Sequence, residues 1–577
     1  MNAERLLKHY EQIADAPDAI ARLRRFILDL AVRGKLVPQD ATDEPASELL
    51  KWIAKEKARL VKAGEARKSE IAPVNPEDAP FSVPPNWMWA RLGSIADWGS
   101  GSTPPRGNLD FYGGGIPWLK SGELNDNRAL AGSEETVTQL AIDKGSFRIN
   151  KPGDVLLAMY GATIGKVAIL AESAVTNQAV CGCTPFAGVF NQFLFLFLLS
   201  QRDQFHSASE GGAQPNISKV KIVWTTFPLP PLAEQHRIVA KVDELMGLCD
   251  RLEASRAGRE AVRDRLATAS LARLNGPDPE TLEADARFAL DALPALTTRP
   301  DQILALRQTI LNLAVRGKLV PQDAKDEPAS ELLKRIAKER TGPQAIKKAR
   351  RNGEVEISSL RADMPLPTGW RWTNIDEVAL SMRYGTSTKC EYAGPGVPVL
   401  RIPNVSDGVL SLDDIKFGPL AENEIRDLAL NAGDLLMIRS NGSLNIVGRS
   451  AVVTTEAEGM AFAGYLVRLR LSLANIKPEY IWLALNSTDV RVQIERPIRS
   501  AVGLKNVNLT EFGALTFALP PLAEQHRIVA KVDALMALCD RVEASLTATA
   551  ATRRRLLEVL LAEALTPVED RELEAAE

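Results

Sequence analysis

The chain repeats two of its own segments almost residue for residue. Residues 31–56 and 314–339 differ at two of 26 positions, and residues 229–255 and 519–545 differ at three of 27. Matches this close do not arise by chance, and a chain of 577 residues has room for two copies of the same unit. The sequence therefore predicts a fold with an internal, approximately two-fold repeat.

Two divergent stretches of roughly 160 residues, about 67–228 and 350–518, separate the repeated segments. They align only at scattered points, such as residues 84–89 with 367–372 and residues 151–156 with 431–436. We call the repeated segments the frames and the divergent stretches the heads. The pattern indicates that the frames have to stay the same whereas the heads are free to differ.

The second frame, residues 229–255 with their copy 519–545, has the pattern of a helix with a narrow apolar stripe. Pro231 and Pro521 suit the first turn, where a missing N–H costs nothing. Apolar residues then recur at steps of four and three, as in a coiled-coil seam, and Cys249 and Cys539 share this spacing. For the helix seam and partner docking we select Ile238, Val242, Leu245 and Leu252, and Ile528, Val532, Leu535 and Val542.

The first frame is the repeated segment 31–56 with its copy 314–339. A similar seam leads into each copy, at Ile20, Leu23, Ile27 and Leu30 and again at Ile303, Leu306, Ile310 and Leu313. Gly34 and Gly317 should end these helices, and second helices should begin near Pro45 and Pro328. If the helices pair antiparallel, the C-terminal helix docks beside the N-terminal one and the central two dock together. The alternative is a plain tandem duplication whose helices are only core elements.

These patterns predict an α+β fold: two mixed α/β domains joined by long antiparallel coiled-coil helices, with a pseudo-two-fold repeat. The predicted order is an N-terminal helical region 1–66, a first head 67–230, a central helix 231–275, a linker 276–299, a second helical region 300–349, a second head 350–520, a C-terminal helix 521–566 and an acidic tail 567–577.

The heads are close to electrically neutral. Lys and Arg balance Asp and Glu at 11 against 11 in residues 81–230 and at 15 against 17 in residues 363–519. Polar, glycine-rich stretches such as residues 99–107, 161–166, 211–218 and 440–449 interrupt strand-like runs. Such loops on a neutral body suit contacts to base edges with a few phosphate anchors, although solvated surface loops would have the same composition.

The sequence contains no recognisable catalytic motif. Residues 161–166, GATIGK, are one residue short of a phosphate-binding loop, and Val167 stands where Ser or Thr is required. His236 and His526 have no nucleophile in a recognisable motif beside them. With only five cysteines in 577 residues we expect no disulfide framework, and without a CxxC pair and with only four histidines we expect no metal site. The N-terminus has no signal-peptide pattern and the most apolar run, residues 193–199, is too short to span a bilayer, so we expect a cytoplasmic chain.

Taken together, these motifs resemble the specificity (S) subunit of type I restriction–modification systems. The resemblance is carried by residues 228–243 (PLPPLAEQHRIVAKVD) with their copy ending at Asp533, and by LAVRGKLVPQD in both frames. In the first head, residues 101–104, 116–120, 151–154, 177–180 and 214–218 are similar to the family's target-recognition domains. The second head lacks a counterpart of QPNIS and resembles another subtype of that domain.

The resemblance implies a non-catalytic protein that binds a split double-stranded DNA target, with one half-site for each head. Because the heads differ, the target should be asymmetric. The helices would set the spacer and dock two methyltransferase (M) subunits, which bring S-adenosylmethionine, while restriction (R) subunits add ATP- and Mg-dependent cleavage. No cofactor is expected on this chain itself.

We select candidate DNA-binding residues from the polar loops. In the first head they are Thr103, Arg106, Lys120, Tyr160, Thr163, Lys166, Gln214, Asn216 and Lys219. In the second head they are Tyr384, Thr386, Lys389, Arg401, Asn404, Arg439, Asn441, Arg449 and Lys505.

Three other functions stay open on the sequence alone. The chain could be a DNA-specificity module of a complex that only methylates DNA or of another defence complex, or it could be an adapter whose two heads bind proteins on coiled-coil arms. A nuclease or methyltransferase acting alone is disfavoured by the missing motifs.

Overall fold

A computed structural model describes residues 15–67, 70–210, 215–276, 281–340, 365–406, 408–495, 499–501 and 504–565. The chain divides into two compact units. The first comprises Met1–Gly258 together with Ala550–Glu577, and the second comprises Arg259–Thr549. Each unit contains one head, and the last part of the chain belongs to the first unit.

The helices of the first half of the chain are α1 Ala19–Val32, α2 Ala46–Lys62, α3 Leu92–Ile95, α4 Gln139–Lys144, α5 Asn191–Ser200, α6 Arg202–Ser207, α7 Lys219–Trp224 and α8 Leu232–Leu274. Its strands are β1 Met88–Arg91, β2 Ala96–Ser100, β3 Tyr112–Leu119, β4 Asn127–Leu130, β5 Thr136–Val137, β6 Val155–Ala158, β7 Val167–Leu170, β8 Val175–Thr176, β9 Val180–Pro185 and β10 Thr226–Leu229.

The first head is a five-stranded sheet, in the order β2-β9-β6-β7-β4, beside a three-stranded sheet, β5-β3-β8. β1 and β10 pair antiparallel and bring the two ends of the head together. The apolar run predicted to be too short for a membrane span forms α5, whose side chains from Phe193 to Leu198 are all buried in the head core. Among the described helices, none is both long and apolar enough to cross a membrane.

The helices of the second half are α9 Leu282–Leu296, α10 Pro300–Val315, α11 Ala329–Glu339, α12 Ile375–Val378, α13 Glu422–Leu428, α14 Pro478–Asn486, α15 Thr488–Glu495, α16 Leu509–Gly513 and α17 Leu522–Leu565. Its strands are β11 Arg371–Asn374, β12 Ala379–Tyr384, β13 Val397–Leu400, β14 Val405–Ser406, β15 Val409–Leu410, β16 Lys416–Gly418, β17 Leu435–Ile438, β18 Ser440–Asn441, β19 Ser450–Val452, β20 Ala461–Phe462, β21 Leu466–Leu471, β22 Arg499–Ala501, β23 Leu504–Asn506 and β24 Thr516–Leu519.

The second head repeats this plan with different details. Its larger sheet has the order β12-β21-β17-β19, and β16-β13-β20 forms the smaller sheet beside it. β11 and β24 pair antiparallel at the ends of the head, as β1 and β10 do in the first. Two further small sheets are β14-β15 and β18-β23-β22, and in the first head the isolated bridges from Asn216 to Tyr160 and Glu210 lie at the place of the second of these.

The predicted helix boundaries in the first frame are confirmed. α2 and α11 begin directly after Pro45 and Pro328. α1 and α10 end just before Gly34 and Gly317, which have φ angles of 65° and 68°. Glycine is favoured there because a left-handed backbone crowds any side chain.

Each unit holds an antiparallel pair between its first frame helix and the start of its long helix. In the first unit, Arg24 of α1 bonds to Asp250 and Glu253 of α8 at 2.6 and 2.7 Å. Nearer the N-terminus of α8, Arg237 pairs with Asp43, which follows α1 in the chain, at 2.6 Å. The second unit repeats these pairs: Arg307 with Asp540 and Glu543, and Arg527 with Asp326.

The C-terminal part of α17 lies beside α1 in the first unit, as predicted, but the two run parallel. Arg22 pairs with Glu558 at 2.9 Å, and Lys35 donates to the Leu565 carbonyl at 2.6 Å. Residue numbers therefore rise in the same direction along both helices. Leu557 and Leu560 are buried against α1. The antiparallel direction is therefore wrong for this pair.

The end of α8 packs against α10 in the second unit in the same parallel manner. Arg299 pairs with Glu260 at 2.6 Å, and Asn275 donates to Thr309 at 3.2 Å. Leu271 and Leu306 belong to the apolar cluster between the two helices.

The apolar seam of the long helices is shorter than predicted. Ile238, Val242, Ile528 and Val532 are buried, and Leu245 and Leu535 are half-buried. By contrast, Leu252 is 41% exposed and Val542 is 36% exposed. A stripe at the coiled-coil spacing drifts around a straight helix by about 20° per heptad, which turns the last residue of each stripe away from the core.

The segment 276–299, interpreted as a linker, contains the helix α9 with Pro294 inside it. The prediction of a linker gave most weight to the prolines and aspartates of this segment. Its alanines and leucines favour a helix, and the structure follows them. The division between the two units also falls inside α8 and α17 rather than at a loop.

Candidate nucleic-acid interface

In the first head, the predicted residues collect at one edge of the five-stranded sheet. β2 ends at this edge and leads to Thr103, and β6 ends there and leads to Tyr160. β7 begins there, directly after Lys166. The antiparallel register of β2, β9, β6 and β7 requires this juxtaposition, since strand ends and strand starts alternate along one edge.

Local hydrogen bonds shape these loops. Tyr160 forms an isolated antiparallel bridge with Asn216, and the Gly161 N–H donates to the Pro215 carbonyl at 2.8 Å. The Thr163 hydroxyl donates to the Tyr160 carbonyl at 2.7 Å. The phenol of Tyr160 stays 40% exposed. Two loops distant in sequence thus form one polar surface.

Three more predicted positions border this surface. Lys166 donates to the side-chain oxygen of Asn125 at 3.0 Å, and the Thr103 hydroxyl bonds to Gln178. Lys219 begins α7, the helix that follows the Asn216 loop. Gln214 lies outside the described residues.

Two cations on an aromatic base occupy the outer side of the smaller sheet. The guanidinium of Arg106 lies 5.3 Å from the Tyr112 ring and 5.1 Å from the Trp118 ring. Arg106 and Lys120 both bond to Glu135. The hydrogen bond from Lys120, followed by that from Arg106, lowers the pKa of this carboxyl, so it stays ionised between the two cations.

The second head presents an equivalent sheet edge. Tyr384 ends β12, Arg439 and Asn441 follow β17, and Arg449 precedes β19. The Arg439 guanidinium lies 4.4 Å from the Tyr384 ring, while the Tyr384 hydroxyl accepts from the Leu509 N–H at 3.0 Å. An arginine held against an aromatic ring loses less side-chain conformational entropy when it binds a base or a phosphate.

Arg401 has the same place in the second head as Lys120 in the first. Both follow a strand of the smaller sheet, and both backbone N–H groups are capped by the side chain three residues on, Asn404 and Glu123, at 2.8 Å. Arg401 and Lys416 lie 5.6 and 4.6 Å from the Tyr392 ring, which is 63% exposed. Arg401 also pairs with Asp414 at 2.8 Å.

Two predicted residues are part of the fold rather than of this surface. Asn404 is 1% exposed, and its amide also donates to the Ser411 and Asp414 carbonyls. Thr386 is 6% exposed and donates to Glu424 at 2.7 Å. Short polar residues after a strand are as common in buried turns as in binding loops, so their sequence pattern could not separate the two roles. We no longer assign DNA contacts to them.

Two predicted lysines remain, Lys389 and Lys505. The side chain of Lys389 is 89% exposed and pairs with Glu391 at 3.2 Å. Lys505 lies opposite Asn441 in the small sheet, and its side chain is outside the described part of the structure.

The selection missed residues that complete the two surfaces, namely Tyr112, Trp118, Glu135 and Gln178 in the first head and Tyr392 and Lys416 in the second. The available signal was an aromatic residue close in sequence to a selected cation, as with Tyr392 and Lys389. Neither head shows a catalytic constellation among these residues. Within the described residues, no group of three or more His, Cys, Asp or Glu side chains could hold a metal ion.

Two different polar surfaces on one repeated helical scaffold define a two-headed recognition protein. Comparison with known proteins gives the ligand class. The family described as type I restriction modification DNA specificity domain matches residues 84–257 and again residues 367–549. Because these matches cover more than half of the chain, it belongs to this family, and its heads are DNA specificity domains.

Individual relatives agree along nearly the whole length. The chain is 29% identical over 561 residues to the type I restriction enzyme EcoAI specificity subunit of Escherichia coli, covering 94% of this chain and 93% of that protein. It is also 29% identical over 576 residues to the EcoEI specificity subunit of Escherichia coli, covering 95% and 94%. The chain is thus a type I specificity subunit, and a non-DNA adapter is not favoured.

Solved structures give weaker matches. A chain from a type I R-M system has a TM-score of 0.49 at 19% identity, covering 84% of this chain and 99% of that chain. The HsdS subunit of Thermoanaerobacter tengcongensis has a TM-score of 0.41 at 19% identity, covering 84% and 98%.

Proposed function

We propose that the chain binds a split, asymmetric site in double-stranded DNA, one half-site at each head, and delivers it to methyltransferase subunits. The observation that carries this proposal is the equivalent sheet edge in both heads, furnished with different side chains. Tyr160, Thr163 and Lys166 occupy it in the first head, whereas Arg439, Asn441 and Arg449 occupy it in the second. Different donors and acceptors select different bases.

One position illustrates the difference in charge. The Trp118 N–H donates to the Glu135 carbonyl at 3.0 Å across the smaller sheet of the first head, and Val399, the counterpart of Trp118, lies opposite Lys416 in the second. A carboxylate in one head thus corresponds to a cation in the other. The two surfaces would therefore present different charged groups to DNA at this position, and the two half-sites would not be copies of each other.

The repeated frames have the role of spacer and docking surface in this proposal. α8 has 43 residues and α17 has 44, so each helix is about 65 Å long at 1.5 Å per residue. Two copies of one docking surface suit two copies of one methyltransferase subunit. Identical frames and different heads are then both required by the function.

The chemistry would reside on the partners. S-adenosylmethionine would be bound by the methyltransferase subunits, and ATP and Mg by restriction subunits. This chain would hold no cofactor and make or break no bond in DNA. Its contribution would be affinity, register and spacing.

The test is adenine methylation across the genome of the host, with and without this chain and with all other genes intact. Loss of a split, asymmetric methylated motif is the expected result, and the motif would also give both half-sites and the spacer. Unchanged methylation would contradict the proposal. Restriction of unmodified phage DNA then separates a complete restriction system from a complex that only methylates.

A further inference from the structure

A buried glutamate at the start of each long helix joins three parts of its unit. Glu234 of α8 is 1% exposed and accepts two hydrogen bonds. One comes from the indole N–H of Trp87 at 2.9 Å and the other from the Gln39 amide at 2.6 Å. Trp87 stands where the chain enters the head, and Gln39 belongs to the loop of the first frame.

The second unit repeats the arrangement. Glu524 of α17 is also 1% exposed and accepts from the Trp370 indole at 2.9 Å and from the Gln322 amide at 3.1 Å. We name these two sets of three residues the clamps: Gln39, Trp87 and Glu234 in the first unit, and Gln322, Trp370 and Glu524 in the second.

The neighbouring glutamine extends each clamp to the backbone of the head. The side-chain oxygen of Gln235 accepts from the Phe190 N–H at 2.7 Å, and its amide donates to the Pro230 carbonyl at 3.1 Å. Gln525 bonds in the same way to the Lys477 N–H at 2.9 Å and the Pro520 carbonyl at 3.0 Å. Each head is thus tied to its long helix on two sides.

A clamp of this kind resists bending. An ionised carboxylate without access to water depends on its two donors, so any rotation that lengthens these bonds leaves a buried charge without partners. Burial raises the pKa of both glutamates, the direction expected for a carboxyl group withdrawn from water. Ordinary apolar contacts would allow sliding, whereas these directional bonds fix an angle.

We propose that Glu234 and Glu524 are positioning residues: the clamps fix the angle of each head on its own long helix and so fix the spacer between the half-sites. The proposal rests on the proposed function. A head of roughly 160 residues has a radius of gyration of about 15 Å and hence an outer radius of about 20 Å. A rotation of about 10° therefore moves its DNA-binding edge by about 3.5 Å. That displacement corresponds to about one base pair of rise.

The experiment uses the full-length chain in its methyltransferase complex. The probes are duplexes with both half-sites of the methylated motif and a spacer that is native, one base pair shorter or one base pair longer. The variants are Glu234→Leu, its twin Glu524→Leu, and Trp87→Phe, which removes the indole donor but keeps an aromatic ring in the core. Ile169→Val, a buried change in β7 away from the clamp, serves as the control for lost stability.

We expect the ratio of native-spacer to altered-spacer affinity to fall toward one in all three clamp variants, with the same preferred bases in each half-site. Glu234→Gln should restore the ratio, because its amide oxygen can still accept from Trp87 while the Gln39 amide rotates. Ile169→Val should lower the melting temperature without changing the ratio.

A folded clamp variant that keeps the native spacer ratio would overturn the proposal, as would one that changes its preferred bases. Should Glu234→Leu fail to fold, Trp87→Phe decides the question. If the wild-type complex recognises no split motif at all, the proposed function itself fails and the clamps lose their role with it.

Discussion

The C-terminal end of the chain should stabilise the first unit, although the first head lies several hundred residues earlier. Leu557 of α17 is fully buried in a cluster with Phe26 and Leu30 of α1. Leu557→Ala removes three carbon atoms from this contact. Such changes at buried sites cost about 2–5 kcal/mol, and a site that belongs to a two-helix contact, where some relaxation is possible, suggests about 3 kcal/mol.

Hydrogen exchange followed by mass spectrometry measures this effect separately in each unit. If α1 exchanges through opening of the first unit, a loss of about 3 kcal/mol accelerates exchange in Ala19–Val32 by about a hundredfold. The equivalent helix of the second unit, Pro300–Val315, should be unaffected. Val559→Ala, a change on the same helix at a residue that is 54% exposed, is the matched control and should change exchange by less than about threefold.

Two results would refute this reasoning. Equal acceleration in α1 and α10 would mean that the two units unfold as one. Unchanged exchange in α1 would mean that the C-terminal helix contributes no stability there. Either result would remove the basis for assigning the end of the chain to the first unit.

Three further predictions follow from the site and the frames. Lys166→Ala should cost about 1–3 kcal/mol of binding free energy and relax one position of the first half-site only, in a binding assay over single-base variants; uniform weakening would instead identify a phosphate contact. Four residues inserted after Leu252, about one helical turn, should change the spacer of the methylated motif but not its half-sites. The pKa of Glu234 is raised by burial, so its contribution to stability is present below the ordinary glutamate pKa and is lost as the pH rises through the folded value. Urea midpoints should therefore favour Glu234→Gln increasingly over wild type as the pH rises from 4 to 8; a constant difference would contradict the shift.

The repeat made much of the fold predictable. Proline and glycine positions in the frames predicted where α2 and α11 begin and where α1 and α10 end, because these residues act locally on the backbone. The direction of α17 beside α1 was not predictable, since an apolar stripe packs equally well against a parallel or an antiparallel partner. Here the Arg22–Glu558 ion pair and the bond from Lys35 to the Leu565 carbonyl together distinguish the two directions, and both depend on tertiary structure.

The binding surface was predictable in its location but not residue by residue. Polar loops after strands indicated the correct sheet edge because strand order brings their ends together. Asn404 and Tyr392 show the limit. The side chain of Asn404 makes three hydrogen bonds to nearby backbone groups, whereas Tyr392, which was not selected, lies beside two cations. Which of two polar neighbours faces solvent depends on turn geometry that composition does not encode.

The contacts between frame and head explain how identical frames can support different heads. Gln235 and Gln525 bind their heads through backbone groups, the Phe190 N–H and the Lys477 N–H, and a backbone N–H is present whatever the side chain. Of the two side chains that donate to each buried glutamate in the described part of the chain, one is a tryptophan of the head, and it is kept in both copies. A head can therefore change nearly all of its sequence, including the loops at its binding edge, without altering the bonds that hold it. Divergence in DNA specificity is then compatible with a scaffold that does not change.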